Sequence, residues 1–170
     1  MDKPSRVSTS TAARFDLLWT TLTTASSTGG SAITSYFLEW DSGTSGVTWT
    51  EIVGYSPASL VNTYSVTGGS AGLTVGRLYG FRVSAQNIFG WSTPSSVFSI
   101  KAAQAPSAVP SVITSIDSST GGVRVQWGAP TSNGDSITRY YIDVKNYGSS
   151  PVTWGSTTSC DGTSATVISG

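Results

Sequence analysis

The sequence contains no histidine and only one cysteine, Cys160, among its 170 residues. Without histidine the chain lacks the usual general base, the commonest metal ligand and the group that activates serine or cysteine nucleophiles. A lone cysteine cannot form an internal disulfide bond, so the fold must be held by its hydrophobic core. We therefore predict that the protein is not an enzyme and that it holds no metal or cofactor.

Charge is scarce and balanced, since nine basic and nine acidic residues cancel. This balance removes the electrostatic basis for binding nucleic acid or an acidic membrane surface. The acidic residues are spread singly along the chain, without the clustered loop pattern of a calcium site. We expect no nucleic-acid partner.

Long apolar runs are also missing. No stretch approaches the roughly 18 apolar residues that indicate a transmembrane helix, and the N-terminus lacks the apolar segment of a signal peptide. About a third of the residues are serine or threonine, a composition typical of extracellular repeats and stalks. The composition predicts an extracellular or cell-surface protein without a membrane-spanning segment. If the protein is secreted, we expect this sequence to start after the signal peptide.

The most regular pattern in the chain lies at residues 73–87, which read LTVGRLYGFRVSAQN. Apolar side chains recur there with a period of two, at Tyr79, Phe81, Val83 and Ala85. This period places all four on one face of a strand, with polar or small residues on the other. Such a strand belongs to an antiparallel sheet that is buried on one face and solvated on the other.

A leucine, a glycine turn, a tyrosine and an Ala-x-Asn ending follow one another in this stretch, as Leu73, Val75-Gly76, Tyr79 and residues 85–87. This order resembles the E–F corner and F strand of the fibronectin type III family. The resemblance implies an all-β, immunoglobulin-like β-sandwich in which the Tyr79 hydroxyl bonds to the backbone near the turn. Leu73 and Tyr79 would then be structural residues.

Further short alternating segments occur at roughly ten-residue spacing, as expected for a sandwich. We predict strands at residues 15–19, 36–40, 47–50, 63–66 and 95–102, with Tyr64 and Val66 facing inward. The small and polar residues at 20–31 predict a loop, and no segment shows a helical period. By the family resemblance, Trp19 is the tryptophan of strand B and Tyr36 lies in strand C.

The pattern starts again after a proline-bearing linker, which makes self-similarity the strongest evidence on domain organisation. ITRYYIDV at 137–144 repeats ITSYFLEW at 33–40, and SATV at 164–167 repeats TYSV at 63–66. Trp127 and Tyr140 correspond to Trp19 and Tyr36 and are assigned the same structural roles. We predict tandem modules, a complete domain at 1–104 and a second, incomplete one at 105–170 with strands A to E only.

The second copy has no counterpart of residues 73–87 or 95–102, which would be strands F and G. Its inward-facing side chains, among them Val123, Val144 and Tyr140, would then face solvent. Two explanations stay open: the chain is a fragment, or a neighbouring chain donates the missing strands.

Tryptophans are the candidates for contact with a ligand or partner. Trp49 and Trp154 occupy the same position near a sheet edge in the two copies, and Trp91 lies in the F–G turn. Exposed rings there would stack on sugars or on a neighbouring protein, whereas folded-over rings would shield the sheet edge.

The function predicted from these observations is a non-catalytic structural or adhesive repeat segment of a larger extracellular or cell-surface protein or filament. Its partners would be other protein chains or further repeats of the same protein. Its role would be to contact these partners or to hold neighbouring domains apart. One alternative is a carbohydrate-binding accessory module of a secreted enzyme, with glycans as ligands. A second alternative is an intracellular scaffold.

Overall fold

A computed structural model describes residues 1–7, 10–67, 72–146, 148 and 153–156, with the backbone alone at 146, 154 and 156. The contacts of the chain divide it into two compact units, Met1–Gln104 and Ala105–Gly170. Nearly all regular structure in the described residues is β-strand, and every strand pairing is antiparallel.

The first unit contains eight described strands and one helical turn. In chain order they are β1 (Ser5–Arg6), β2 (Arg14–Leu18), α1 (Ala25–Thr28), β3 (Ser35–Trp40), β4 (Thr50–Val53), β5 (Thr63–Thr67), β6 (Leu78–Asn87), β7 (Gly90–Trp91) and β8 (Phe98–Lys101). Strands β1, β2 and β5 form one sheet in the order β1-β2-β5. The other sheet has the order β4-β3-β6-β7, and β8 also pairs with β6.

The core lies between these two sheets, where aromatic side chains from β2, β3 and β6 meet. Phe15 packs edge-on against Tyr79 and Phe81, with ring centroids 5.7 and 6.0 Å apart. Trp40 stacks on Tyr79 at 5.6 Å. The predicted inward face of β6 is confirmed, because its four alternating apolar residues are at most 4% exposed. Antiparallel strands with one buried face thus build a sandwich whose outer faces remain available.

The strand predicted at 47–50 is wrong, because β4 begins at Thr50 and Val47 is 81% exposed. Local hydrogen bonds hold the preceding residues in a loop instead. The Thr44 hydroxyl accepts from the Thr48 N–H at 3.1 Å, and the Asp41 carboxylate accepts from the Gly46 N–H at 3.0 Å. These side chains compete with strand pairing for the backbone donors.

One smaller prediction also fails. The loop predicted at 20–31 contains α1, whose capping box joins Thr24 and Ser27; a four-residue turn is too short to show a hydrophobic period. Tyr64 lies on the inner face as expected, since it pairs directly with the buried Leu17 of β2. It is 36% exposed, whereas Val66 is 4% exposed, because β5 is an edge strand and one side of the Tyr64 ring has no neighbouring strand to cover it.

The second unit contains two described strand pairs. Strand β9 (Val112–Ile116) pairs with β10 (Val123–Trp127), and β11 (Asp143–Asn146) pairs with β12 (Thr153–Ser156). Val123 and Val144 are 71% and 54% exposed. Tyr140, which was expected to face solvent, is only 9% exposed, and its ring packs on Trp127 with centroids 5.4 Å apart.

The repeat segment at 137–144 is in a strand only at its last two residues, where β11 begins. Cys160 and the repeat segment at 164–167 lie outside the described residues.

Candidate functional site

Candidate contact residues lie on the outer face of the sheet that contains β3 and β6. Leu38 and Val83 are fully buried and directly paired, so their neighbours along each strand point away from the core. On that outer face Phe37 lies opposite Ser84, and Glu39 lies opposite Arg82. The sequence pattern of these strands therefore produces one apolar inner face and one mixed outer face.

Three aromatic rings meet at one end of this outer face and form what we call the aromatic cluster, Phe37, Tyr55 and Trp91. Tyr55 lies parallel to Trp91, with an interplanar angle of 14° and ring centroids 5.8 Å apart. Phe37 lies 5.2 Å from Tyr55 and 5.6 Å from Trp91, tilted against both rings. Tyr55 is 59% exposed, and the other two rings are half-buried.

Tyr55 reaches this position because the chain turns sharply after β4. Gly54 has a φ of 99°, and a Cβ at this position would overlap the carbonyl oxygen of Tyr36. Only glycine allows so close an approach to β3. The Glu51 carboxylate then accepts hydrogen bonds from the N–H groups of Tyr55 and Ser56, at 3.0 and 3.1 Å. The backbone beneath the Tyr55 ring is thus held at two points.

A charged row lies beside the aromatic cluster. Arg82 donates two hydrogen bonds to Glu39, at 3.0 and 3.3 Å. The Arg82 guanidinium also lies 4.1 Å from the centre of the Trp49 ring. Trp49 is half-buried and packs on a cation.

The predicted contact residues therefore differ in their surroundings. Trp91 joins two other rings on an accessible surface, and Trp49 packs on an arginine of the same sheet face. Trp154 lies on β12, and its side chain is outside the described residues. Sequence reasoning missed Phe37 and Tyr55, although Phe37 gave one signal: it is a large apolar residue at an outward position of a strand.

The predicted structural residues of the first unit surround the core. Trp19, Tyr36 and Tyr79 are at most 3% exposed, and Leu73 packs against the core from a half-buried position. The Tyr36 hydroxyl accepts from the Leu22 N–H at 2.7 Å. The Tyr79 hydroxyl accepts from the Thr74 N–H at 2.8 Å and donates to the Gly72 carbonyl at 3.5 Å. Trp127 and Tyr140 contact each other in the second unit.

Asp41 is a buried carboxylate that the sequence analysis did not single out. Asp41 is 4% exposed, and its oxygens accept from the N–H groups of Gly80, Gly43 and Gly46 at 2.8 to 3.0 Å. It thereby fastens the loop after β3 to strand β6. The Asp-Ser-Gly sequence at 41–43 was the available signal, because aspartate often accepts from the backbone two residues later.

The described residues contain no cluster of three or more acidic, cysteine or histidine side chains that could hold a metal ion. Their one helix, α1, has four residues and is far too short to cross a membrane.

No family model matches the chain. The chain is similar to a Kelch domain-containing protein of Saccharolobus solfataricus, with 37% identity over 87 residues, which make up 51% of this chain and 11% of that protein. The match thus spans only about a tenth of the length of this curated relative.

Similar solved structures include several fibronectin type III domains. A human fibronectin type III domain is 26% identical and covers 63% of this chain and 82% of its own, with a TM-score of 0.48. The sixth such domain of human fibronectin type III domain containing protein 3 is 23% identical. The match covers 65% of this chain and 88% of that domain, with a TM-score of 0.47. A structure of titin domains A168–A170 is 30% identical. The match covers 59% of this chain and 32% of the titin chain, with a TM-score of 0.45.

The fold class follows from the chain's own topology. A sheet ordered β1-β2-β5 faces a second sheet in which β6 lies between β3 and β8, as strand F lies between C and G. The tyrosine that begins the buried face of β6 bonds back to the turn before it. The chain therefore contains a fibronectin type III-like domain with the immunoglobulin-like β-sandwich fold.

Proposed function

We propose that this chain is a non-catalytic binding and spacing segment of a larger protein, and that its first unit contacts another protein chain. The fibronectin type III-like fold is commonly used for protein–protein interaction. The observation that carries the proposal is the turn between β6 and β7. There Ile88 and Phe89 are 77% and 82% exposed on an ordered two-residue hairpin loop.

This turn is held in place without help from either apolar side chain. Asn87 accepts from the Phe89 N–H at 2.9 Å and donates to the Thr28 carbonyl at 2.9 Å. Gly90 closes the loop with a φ of 124°, which a residue with a side chain rarely adopts. Two large apolar side chains on a fixed turn contribute little to folding and suit the centre of an interface.

We extend the proposal to a tandem arrangement of similar modules on the cell surface. Strand β10 ends in Trp127, which packs on Tyr140, and these two residues correspond to Trp19 and Tyr36 of the first unit. The scarcity of charge and the abundance of serine and threonine support an extracellular location. The match covers only 11% of the relative's length, which supports a larger parent protein.

A photo-crosslinking experiment tests the protein contact. A photoreactive analogue at Ile88 should label one partner among the surface proteins of the cells that make this chain. The purified partner should bind the Phe89→Ser variant about tenfold more weakly than the wild type, because an interface aromatic is often worth more than 1.4 kcal/mol. Val47→Ser is the matched control, since Val47 is 81% exposed in another loop. Equal affinities of wild type and Phe89→Ser would contradict the proposed contact.

A further inference from the structure

The aromatic cluster is preorganised, since each of its three rings is placed by a different element. Phe37 comes from β3, Tyr55 from the turn after β4 and Trp91 from β7. Trp91 pairs with Gln86, and the next residue, Ser92, donates its N–H to the Ala85 carbonyl at 2.8 Å. A ligand that stacks on this cluster therefore orders few groups when it binds, which favours affinity.

The charged side chains around the cluster are already engaged with protein groups. Glu39 and Arg82 pair with each other, with side chains only 12% and 27% exposed. The Glu51 carboxylate accepts from two backbone N–H groups. A charged ligand would compete with these partners, whereas an uncharged ligand leaves them intact. The electrostatics of this face thus complement a neutral molecule.

The cluster offers aromatic surface with neutral polar groups beside it. Tyr55 contributes a hydroxyl, and Gln86 lies directly across from Trp91 on the neighbouring strand. Pyranose rings have apolar C–H faces and a rim of hydroxyl groups, so they match a ring surface with neutral hydrogen-bonding neighbours.

From these three features we propose that Phe37, Tyr55 and Trp91 form a binding site for an uncharged glycan. Sugar rings stack on the accessible surfaces of Tyr55 and Trp91, and Phe37 supports both rings from the sheet. This site is separate in its residues from the Ile88–Phe89 turn proposed for protein contact.

Affinity electrophoresis of the full chain in gels containing neutral polysaccharides tests the proposal. The probes are galactomannan, mixed-linkage β-glucan and hydroxyethyl cellulose, with heparin as the charged comparison. At least one neutral polymer should retard the wild type, and calorimetry with a matching oligosaccharide should give its Kd. Tyr55→Ala and Trp91→Ala should each raise that Kd about tenfold, and Tyr55→Phe should stay within about threefold of the wild type, since it keeps the ring.

Tyr141→Ala is the matched control. Tyr141 occupies the position of Phe37 in the second copy and is 79% exposed, so its removal should leave the Kd unchanged. Because Tyr55 is 59% exposed, Tyr55→Ala should fold, and circular dichroism checks this. If Trp91→Ala does not fold, Tyr55→Ala decides alone.

Three results would overturn the proposal: no retardation by any neutral polymer, retardation by heparin only, or full affinity of Tyr55→Ala. A loss of protein-partner binding in Tyr55→Ala, without polysaccharide binding by the wild type, would assign the cluster to a protein and overturn it as well. The Phe89→Ser measurement tests the proposed protein contact, and its result does not depend on whether the aromatic cluster binds glycan.

Discussion

Removing the Tyr79 hydroxyl should destabilise the first unit while leaving its core packing in place. The hydroxyl accepts from the Thr74 N–H at 2.8 Å, and the ring is 1% exposed between Phe15 and Trp40. Tyr79→Phe keeps the ring and deletes only the oxygen. The change therefore isolates the bond that closes the turn before β6.

The magnitude follows from what the deletion leaves behind. A buried donor without a partner costs about 1–3 kcal/mol. Thr74 itself is exposed, so water can replace part of the lost bond, and the donated bond to Gly72 is long at 3.5 Å. We expect the free energy of unfolding to fall by about 1–2 kcal/mol, which lowers the Tm of a domain of this size by roughly 5–10 °C.

Urea denaturation of residues 1–104, followed by tryptophan fluorescence, measures this loss because Trp40 stacks on Tyr79. The transition midpoint should fall with an unchanged m value. Tyr64→Phe is the control, since Tyr64 is 36% exposed on β5, and it should change stability by less than about 0.5 kcal/mol. A Tyr79→Phe variant as stable as this control would refute the structural role of the hydroxyl.

Two further predictions concern carboxylates. Asp41→Ala removes the acceptor of three backbone N–H groups and should lower the free energy of unfolding by about 3 kcal/mol in the same assay; a loss under about 1 kcal/mol would contradict the anchoring role. In the second unit, hydrogen bonds from the hydroxyl and N–H of Ser119 lower the pKa of Asp117, so Ser119→Ala should raise that pKa in a carbon-detected NMR titration. Because the folded-state pKa is lowered, the stabilisation is present above the unfolded-state value and disappears as the pH falls through the lowered one.

The sequence predicted the core of the first unit well, because burial leaves a periodic mark on each strand. The alternation along β6 identified its inner face residue by residue, and the turn residues before Tyr79 suggested the fold. Strand ends were harder to predict. Around Thr50 the side chains of Asp41 and Thr44 determine where pairing begins, and such local bonds leave no period in the sequence.

The candidate site could be predicted only in part. Periodicity indicates that Phe37 points outward, but it does not indicate which other residues meet it there. Tyr55 comes from a turn shaped by Gly54 and Glu51, and Trp91 from a hairpin across the sheet. Contacts between such distant segments depend on strand order and register, and both require the three-dimensional structure.

The two copies share their core pattern but differ along the strand that carries Phe37. In the second copy Tyr141 stands in place of Phe37, and Arg139 in place of the buried Ser35. The Arg139 guanidinium lies 5.6 Å from the Tyr141 ring and donates to its hydroxyl at 3.1 Å. A cation beside the ring removes the neutrality that suits the first unit to an uncharged glycan. Repeats that keep their core and change their outer residues would therefore differ in what they bind, and glycan binding should depend on the first unit alone.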